Sequence, residues 1–123
     1  MKKTFILNFA IGALIVLVYL AYRYSRGGIG LLSSQEARQK IKSGEIEQVV
    51  DVRTSVEYSL GHYPESVNIP LGSLTKEKAD KLPDKGILTV CNTGHRARRA
   101  AEILRSFGKE DVYYINGTYK NLI

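Results

Sequence analysis

The feature that most constrains this chain is a long uncharged apolar run near its N-terminus, residues 5–22. Asn8 is its only strongly polar residue. As a helix, the run would be about 27 Å long, close to the hydrocarbon thickness of a bilayer, about 30 Å. A helix that is apolar on every side needs either a membrane or a large protein around it, and a chain of 123 residues does not supply the latter. The run therefore predicts one membrane-spanning helix.

The residues around the run bear on whether it is an anchor or a cleaved signal peptide. Lys2 and Lys3 precede it, as in the basic region of a signal peptide. However, the run exceeds the usual length of a signal peptide's apolar region, about 7 to 15 residues, and bulky residues surround Ala21, where cleavage needs small ones. The residues typical of a membrane interface at its C-terminal end are Tyr19, Tyr22, Arg23, Tyr24 and Arg26. We favour an uncleaved anchor, with a signal peptide as the alternative.

The rest of the chain is long enough for one small domain. We predict a transmembrane anchor over residues 1–24, a glycine-containing linker over 25–30 and a single domain over 31–123. Of the net charge of +6, +4 lies in residues 1–26, so the domain is nearly balanced in charge. It carries no basic patch interleaved with aromatics, which argues against nucleic-acid binding. Basic residues after the anchor outnumber those before it, which favours a single-pass protein with a cytoplasmic domain.

Short apolar runs alternate with helical patterns along the domain. The predicted strands are residues 29–32, 48–52, 66–69, 87–90 and 112–115. A capping box of Ser33 and Glu36 starts one predicted helix, which ends at Gly44, and apolar spacing predicts another over residues 97–107. This alternation predicts an α/β fold, with a mostly parallel sheet covered by helices on both faces.

Cys91, the single cysteine, directly follows a predicted strand and precedes a helix. Ligands of open α/β sheets bind outside the carboxyl ends of the strands, so the thiol is placed for chemistry. One cysteine excludes an internal disulfide, a Cys-x-x-Cys pair and a cysteine-based zinc site. It leaves a buried spectator or a reactive thiol, and spacing alone does not decide between them.

The segment 91–96 would turn the chain from the strand into the helix. Its backbone N–H groups, together with the positive end of the helix dipole, would form a nest that stabilises the Cys91 thiolate and binds an anionic substrate. Gly94 permits a backbone conformation that other residues avoid, and Arg96 offers a planar fork of donors to an oxyanion. The predicted substrate-binding residues are Asn92, Thr93, Gly94, His95 and Arg96. His95 is a candidate acid or base, with a solvated histidine as the alternative. We see no metal-ligand cluster and expect no cofactor.

Two separated motifs resemble the signature of single-domain rhodaneses, a thiosulfate sulfurtransferase-like family. The first is Asp-Val-Arg-Thr-Ser-Val-Glu-Tyr at residues 51–58, followed by Gly61-His62 and by Asn-Ile-Pro at residues 68–70. The second, Cys-Asn-Thr-Gly-His-Arg-Ala at residues 91–97, is similar to that family's Cys-x-x-Gly-x-Arg-(Ser/Ala) active loop. The resemblance covers residues 30–122 and implies a rhodanese-like sheet with helices on both faces.

The resemblance also implies a reaction. Cys91 would take a sulfane sulfur from a small anionic donor such as thiosulfate, hold it as a persulfide, and pass it to cyanide, a thiol or a partner protein. Arg96 would bind the donor's anionic end. The residues expected to give structural support are Asp51, Arg53, Glu57 and His62, with Arg53 and Glu57 forming an ion pair. Because the sequence has no second cysteine, the acceptor must be another molecule.

Two other functions stay open. Phosphatases and arsenate reductases of related fold have one residue more between cysteine and arginine than the four present here, so the smaller loop favours a sulfur atom on Cys91. The second alternative is a catalytically inactive rhodanese-like module that binds a membrane partner. Retention of Cys91, Gly94 and Arg96 argues against it.

The sequence departs from the family pattern near its end. Asn116 and Gly117 replace a pair of glycines, and Tyr119 and Lys120 stand where a tryptophan is common. Asparagine also tolerates a positive φ, so the first change is mild. The sequence stops at Ile123, and we therefore expect little or no terminal helix over the sheet.

Overall fold

The computed structural model describes residues 2–27 and 29–123, and it describes no side chains for residues 23–27. Helix α1, Lys2–Gly27, is the only described helix long and apolar enough to cross a membrane, by length and composition. Its side chains up to Tyr22 are exposed. The predicted linker overlaps the last turn of α1, and its Gly28 lies outside the described residues. The interface roles predicted for Arg23, Tyr24 and Arg26 also lie outside the described side chains.

Five parallel strands form one sheet, in the spatial order β1-β5-β4-β2-β3. The strands are β1 (Leu31–Leu32), β2 (Gln48–Asp51), β3 (Val67–Asn68), β4 (Lys85–Val90) and β5 (Glu110–Ile115). Since all strands run the same way, their carboxyl ends share one edge, and the residue that follows the central strand β4 is Cys91. The prediction of an α/β fold with a parallel sheet is confirmed.

Two helices follow the predicted pattern. Helix α2, Ser34–Ser43, begins with the capping box of Ser33 and Glu36 and ends at Gly44, which adopts a left-handed conformation with φ 86°. The second, helix α5 (His95–Ser106), begins two residues before its predicted start at residue 97. The remaining helices are α3 (Ser55–Ser59), α4 (Lys76–Ala79) and two 3₁₀ helices, Leu71–Ser73 and Tyr119–Leu122. The short helices α3 and α4 were not predicted.

The sheet separates two hydrophobic cores, as alternation along β4 requires. Ile87 and Cys91 lie in the core that contains the buried face of α5. Leu88 and Val90 lie in the opposite core, which contains Ala37 of α2. Helices therefore cover both faces of the sheet, as the sequence predicts.

The C-terminal end of the chain also covers the second face. The 3₁₀ helix Tyr119–Leu122 begins with a capping box in which Thr118 and Asn121 take part. Leu122 is 6% exposed and packs in the second core. Burial of one such side chain contributes about 1.5–3 kcal/mol. The sequence predicts little or no terminal helix over the sheet, and in the structure a single 3₁₀ turn covers part of this face.

Candidate active site

The loop between β4 and α5 wraps its backbone around the sulfur of Cys91. Cys91 is 1% exposed, and its Sγ accepts hydrogen bonds from the backbone N–H groups of Gly94, at 3.0 Å, and Ala97, at 3.4 Å. Both amides belong to the start of α5, where unpaired N–H groups and the helix dipole favour negative charge. Two N–H groups and the N-terminal end of a helix are thus directed at the sulfur of Cys91.

Gly94 makes this turn because a side chain does not fit there. Its φ is 102°, in the left-handed region, and it precedes the first residue of α5. A Cβ at this position would lie 2.9 Å from the Cα of Asn116 and 3.0 Å from the carbonyl oxygen of Ile115. The end of β5 therefore limits the space under the loop, and only glycine lets the two backbones approach this closely.

Glu57 holds the loop from the neighbouring helix α3. Its carboxylate accepts two hydrogen bonds from Arg96, Nη1 to Oε1 at 2.7 Å and Nη2 to Oε2 at 3.0 Å. Oε2 also accepts from Asn92 Nδ2 at 2.8 Å, and Oε1 accepts from the backbone N–H of Thr54 at 3.1 Å. The hydrogen bonds from Arg96 are the main reason that the pKa of Glu57 lies far below its usual range. One carboxylate thus connects both ends of the loop to α3.

The predicted ion pair between Arg53 and Glu57 is wrong. Arg53 instead binds Asp51, with Nη2 2.7 Å from Oδ2 and Nε 2.9 Å from Oδ1, and both residues are buried. The hydrogen bond to Asp51 is the main reason that the pKa of Arg53 is raised. A spacing of four pairs side chains only along a helix. Arg53 precedes Thr54, the N-cap of α3, so it lies before the helix that carries Glu57.

Among the described residues, neither histidine hydrogen-bonds to the sulfur of Cys91. His95 Nδ1 is 3.1 Å from Thr93 Oγ1, and both side chains are exposed. His62 Nδ1 is 2.8 Å from the carbonyl oxygen of Tyr58, and the two rings stack with centroids 3.7 Å apart. Among residues 2–27 and 29–123, no group of three or more His, Cys, Asp or Glu side chains could hold a metal ion.

Sequence reasoning missed the roles of Thr54 and Asn116 at this site. Thr54 begins α3 with a capping box, in which its side chain accepts from the backbone N–H of Glu57 at 3.3 Å. Thr54 and Glu57 have the same capping-box spacing as Ser33 and Glu36, which predicted the start of α2. The sequence signal for α3 was therefore present. Asn116 follows β5 and meets the loop only because β5 lies beside β4. No local pattern carries that information.

A cleft of about 300 Å³ opens beside the loop. Its lining includes Asn92, which follows Cys91 directly, and Tyr119 and Lys120 from the last 3₁₀ helix. Tyr119 lies under the guanidinium of Arg53, whose central carbon is 5.0 Å from the ring centroid. Tyr119 and Lys120, which replace the family's usual tryptophan, therefore line a cleft that also reaches Asn92 of the active loop.

The fold and this loop define a class of protein: a parallel α/β domain that presents one cysteine in an amide-lined turn after its central strand. The rhodanese-like domain family matches residues 33–122 of the chain. The chain belongs to the rhodanese-like family.

Two proteins of Bacillus subtilis are similar to the chain in sequence. The chain is 31% identical over 108 residues to the uncharacterized protein YqhL of Bacillus subtilis, a match that covers 88% of this chain and 83% of YqhL. It is 32% identical over 81 residues to the putative sulfur carrier protein YrkF of the same organism, but the match covers 66% of this chain and only 44% of YrkF.

Among solved structures, the human single-domain sulfurtransferase TSTD1 superposes with a TM-score of 0.63 at 24% sequence identity. The superposition covers 76% of this chain and 95% of TSTD1. At that identity the likeness shows the fold alone. The domain is thus rhodanese-like, with sulfurtransferases among the proteins that share its fold.

Proposed function

We propose that this chain is a membrane-anchored sulfurtransferase that carries a sulfane sulfur on Cys91. The observation that carries this proposal is the pair of backbone N–H groups, from Gly94 and Ala97, directed at the Sγ of Cys91. Two fixed N–H groups directed at one sulfur can donate hydrogen bonds to a sulfur anion, and the thiolate is the nucleophilic form of cysteine. Membership of the rhodanese-like family supports the same chemistry.

The first half of the reaction loads the sulfur. The Cys91 thiolate attacks the outer, sulfane sulfur of thiosulfate, a new S–S bond forms, and the S–S bond within thiosulfate breaks. The electron pair of that bond leaves with sulfite. Cys91 is then a persulfide, whose negative charge replaces that of the thiolate. Loop donors that stabilised the one anion are positioned to stabilise the other.

The second half returns Cys91 to the thiolate. A nucleophilic acceptor, cyanide in an assay or a thiol in a cell, attacks the outer sulfur of the persulfide and the Cys91 Sγ–S bond breaks. The sequence contains one cysteine, so no thiol of the same chain resolves the persulfide. The acceptor is therefore a separate small molecule or protein.

The loop residues divide into two roles. Arg96 and Asn92 hold the loop through Glu57, and the Arg96 charge, partly offset by Glu57, still attracts an anionic donor because its side chain is 35% exposed. Thr93, Gly94 and His95 form the rim that the donor contacts. Asp51, Arg53 and His62 support the scaffold beneath it.

The enzymatic test is thiocyanate production from thiosulfate and cyanide by the full chain in detergent micelles. We expect turnover by the parent protein and none by Cys91→Ser. A folded parent that forms no thiocyanate would contradict the proposal and favour the inactive binding module. Hydrolysis of p-nitrophenyl phosphate through Cys91 would instead favour the phosphatase alternative.

We also propose that residues 1–24 anchor the protein in a membrane, with residues 25–30 as a linker and the rhodanese-like domain, residues 31–123, in the cytoplasm. The length of α1 and its exposed apolar side chains support the anchor. The excess of basic residues after it supports the orientation.

A further inference from the structure

The cleft beside the active loop contains a buried cation with unused hydrogen-bond donors. In Arg53, Nε and Nη2 bind Asp51, and Nη2 also donates to the carbonyl oxygen of Gly61 at 2.7 Å. Nη1 has no hydrogen-bond partner among the described residues, although the Arg53 side chain is only 7% exposed.

Two observations bear on the surroundings of this nitrogen. The only buried side-chain polar atom without a partner in the described part of the chain is the hydroxyl oxygen of Tyr114, so Nη1 of Arg53 is not fully enclosed by the protein. Arg53 lines the cleft. A ligand in the cleft would therefore contact Arg53, and Nη1 is the guanidinium nitrogen whose donors are not already used by the described residues.

Charge and shape define the ligand that fits. Lys120 is an exposed second cation in the lining, and none of the described residues forms an ion pair with it. Glu57 also lines the cleft, but both its oxygens accept hydrogen bonds from Arg96. Leu60, 85% exposed, and Tyr119 add apolar surface. This combination suits a small molecule with one anionic end and a short apolar body.

We propose that this cleft is the acceptor site, and that it binds low-molecular-weight thiols that carry a carboxylate. The inference rests on the proposed function and deepens it. The carboxylate binds Arg53 Nη1 and Lys120, and the thiol is directed toward Cys91 past Asn92, whose Cα is about 3.8 Å from that of Cys91. The acceptor thiolate attacks the outer sulfur, a new S–S bond forms and the Cys91 Sγ–S bond breaks. The acceptor leaves as a persulfide and Cys91 as a thiolate.

The test measures single-turnover transfer from full-length protein whose Cys91 has been loaded with thiosulfate and freed of excess donor. The acceptors are thioglycolate, which is anionic, β-mercaptoethanol, which is neutral, and cysteamine, which is cationic. The variant is Lys120→Glu. The matched control is Lys85→Glu, which makes the same charge change on an exposed lysine at the opposite end of β4 from Cys91. For each thiol, the transfer rate of a variant is divided by the rate of the parent protein with the same thiol. Differences in intrinsic reactivity between the thiols therefore cancel.

We expect Lys120→Glu to lower the thioglycolate rate about 3- to 10-fold, to raise the cysteamine rate, and to leave the β-mercaptoethanol rate within about twofold. Lys85→Glu should change none of the three by more than about twofold. An equal effect of Lys120→Glu on all three thiols, or no effect on any, would overturn the acceptor site. Failure of the parent to load Cys91 would overturn the proposed function itself, so the two failures are distinguishable.

Discussion

Gly94 is the residue on which the geometry of the Cys91 loop depends most. Gly94→Ala combines an unfavourable positive φ with contacts to Asn116 and Ile115 that are too close. We expect it to lower the free energy of unfolding by about 1–3 kcal/mol, measured by urea denaturation in detergent, and to slow persulfide formation. Persulfide formation slows because the loop must shift to accommodate the Cβ, which moves the Gly94 N–H group away from the sulfur of Cys91.

The control for this prediction is Gly44→Ala at the end of α2. Gly44 also has a positive φ, 86°, but a Cβ there would meet nothing within 4 Å. Gly44→Ala should lower the free energy of unfolding by about 1 kcal/mol and leave the reaction of Cys91 unchanged. Equal effects of both substitutions on persulfide formation would show that the loop does not need the close approach of β5.

Glu57 predicts a pH dependence of stability. Its pKa is lowered in the folded state, chiefly by the hydrogen bonds from Arg96. Its stabilising contribution is therefore complete above the unfolded-state pKa, about 4.3, and is lost as the pH falls below that value. Glu57→Gln should flatten this part of the acid-side decline in melting temperature, measured by circular dichroism. An unchanged pH profile in the variant would contradict the role given to the pair.

At the same scale, Arg53 shows where sequence reasoning fails. The spacing of Arg53 and Glu57 suggested an ion pair, but the helix that would align them begins only after Thr54. The partner that Arg53 takes is Asp51, two residues back at the end of β2. The spacing alone gave the wrong pair, because only one of the two residues lies on a helix.

At the scale of elements, a buried hydroxyl joins the central strand to the helix after the loop. Thr89 of β4 is fully buried, and its Oγ1 donates to the carbonyl oxygen of Ala97 in α5 at 2.7 Å. Thr89→Val keeps the volume and removes the donor. We expect the free energy of unfolding to fall by about 1–2 kcal/mol. Thr93→Val, at an exposed position, should change it by less than about 0.5 kcal/mol. Similar losses in both variants would argue against this link.

The elements differ in how well the sequence predicted them. Helix α2 was predictable because its capping box and its terminal glycine are local signals. Helix α3 carries the same capping signal but only five residues, too few for an apolar period to show. The order of the strands was not predictable, because β5 lies between β1 and β4 through contacts far apart in sequence. That order brings Asn116 to Gly94.

At the scale of the whole molecule, the proposed membrane anchor is open to a direct test. Leu14→Arg places a charge near the middle of α1, which costs about 2.5–3.5 kcal/mol at the centre of a membrane helix. We expect a larger fraction of the protein to be released from membranes by alkaline extraction. Val56→Arg, on the exposed surface of α3, is the control and should stay in the membrane fraction. Equal extraction of both variants and the parent would contradict the anchor.

The division between predictable and unpredictable features has one physical basis. Cys91 and its loop were located because strand, thiol, glycine and arginine follow one another within a few residues. The cleft was not, because Arg53, Asn92 and Lys120 come from three distant segments that only the folded sheet brings together. Chemistry within one loop can be seen in a sequence, whereas a site assembled between loops needs the structure.

The measurement that tests the proposed role of Cys91 most directly is intact mass spectrometry of the full chain before and after thiosulfate, with Cys91→Ser alongside. We expect the parent to gain the mass of one sulfur atom, to lose it on addition of cyanide, and the serine variant to gain nothing. A folded, reduced parent that gains no mass, or a serine variant that gains the same mass, would contradict Cys91 as the sulfur carrier.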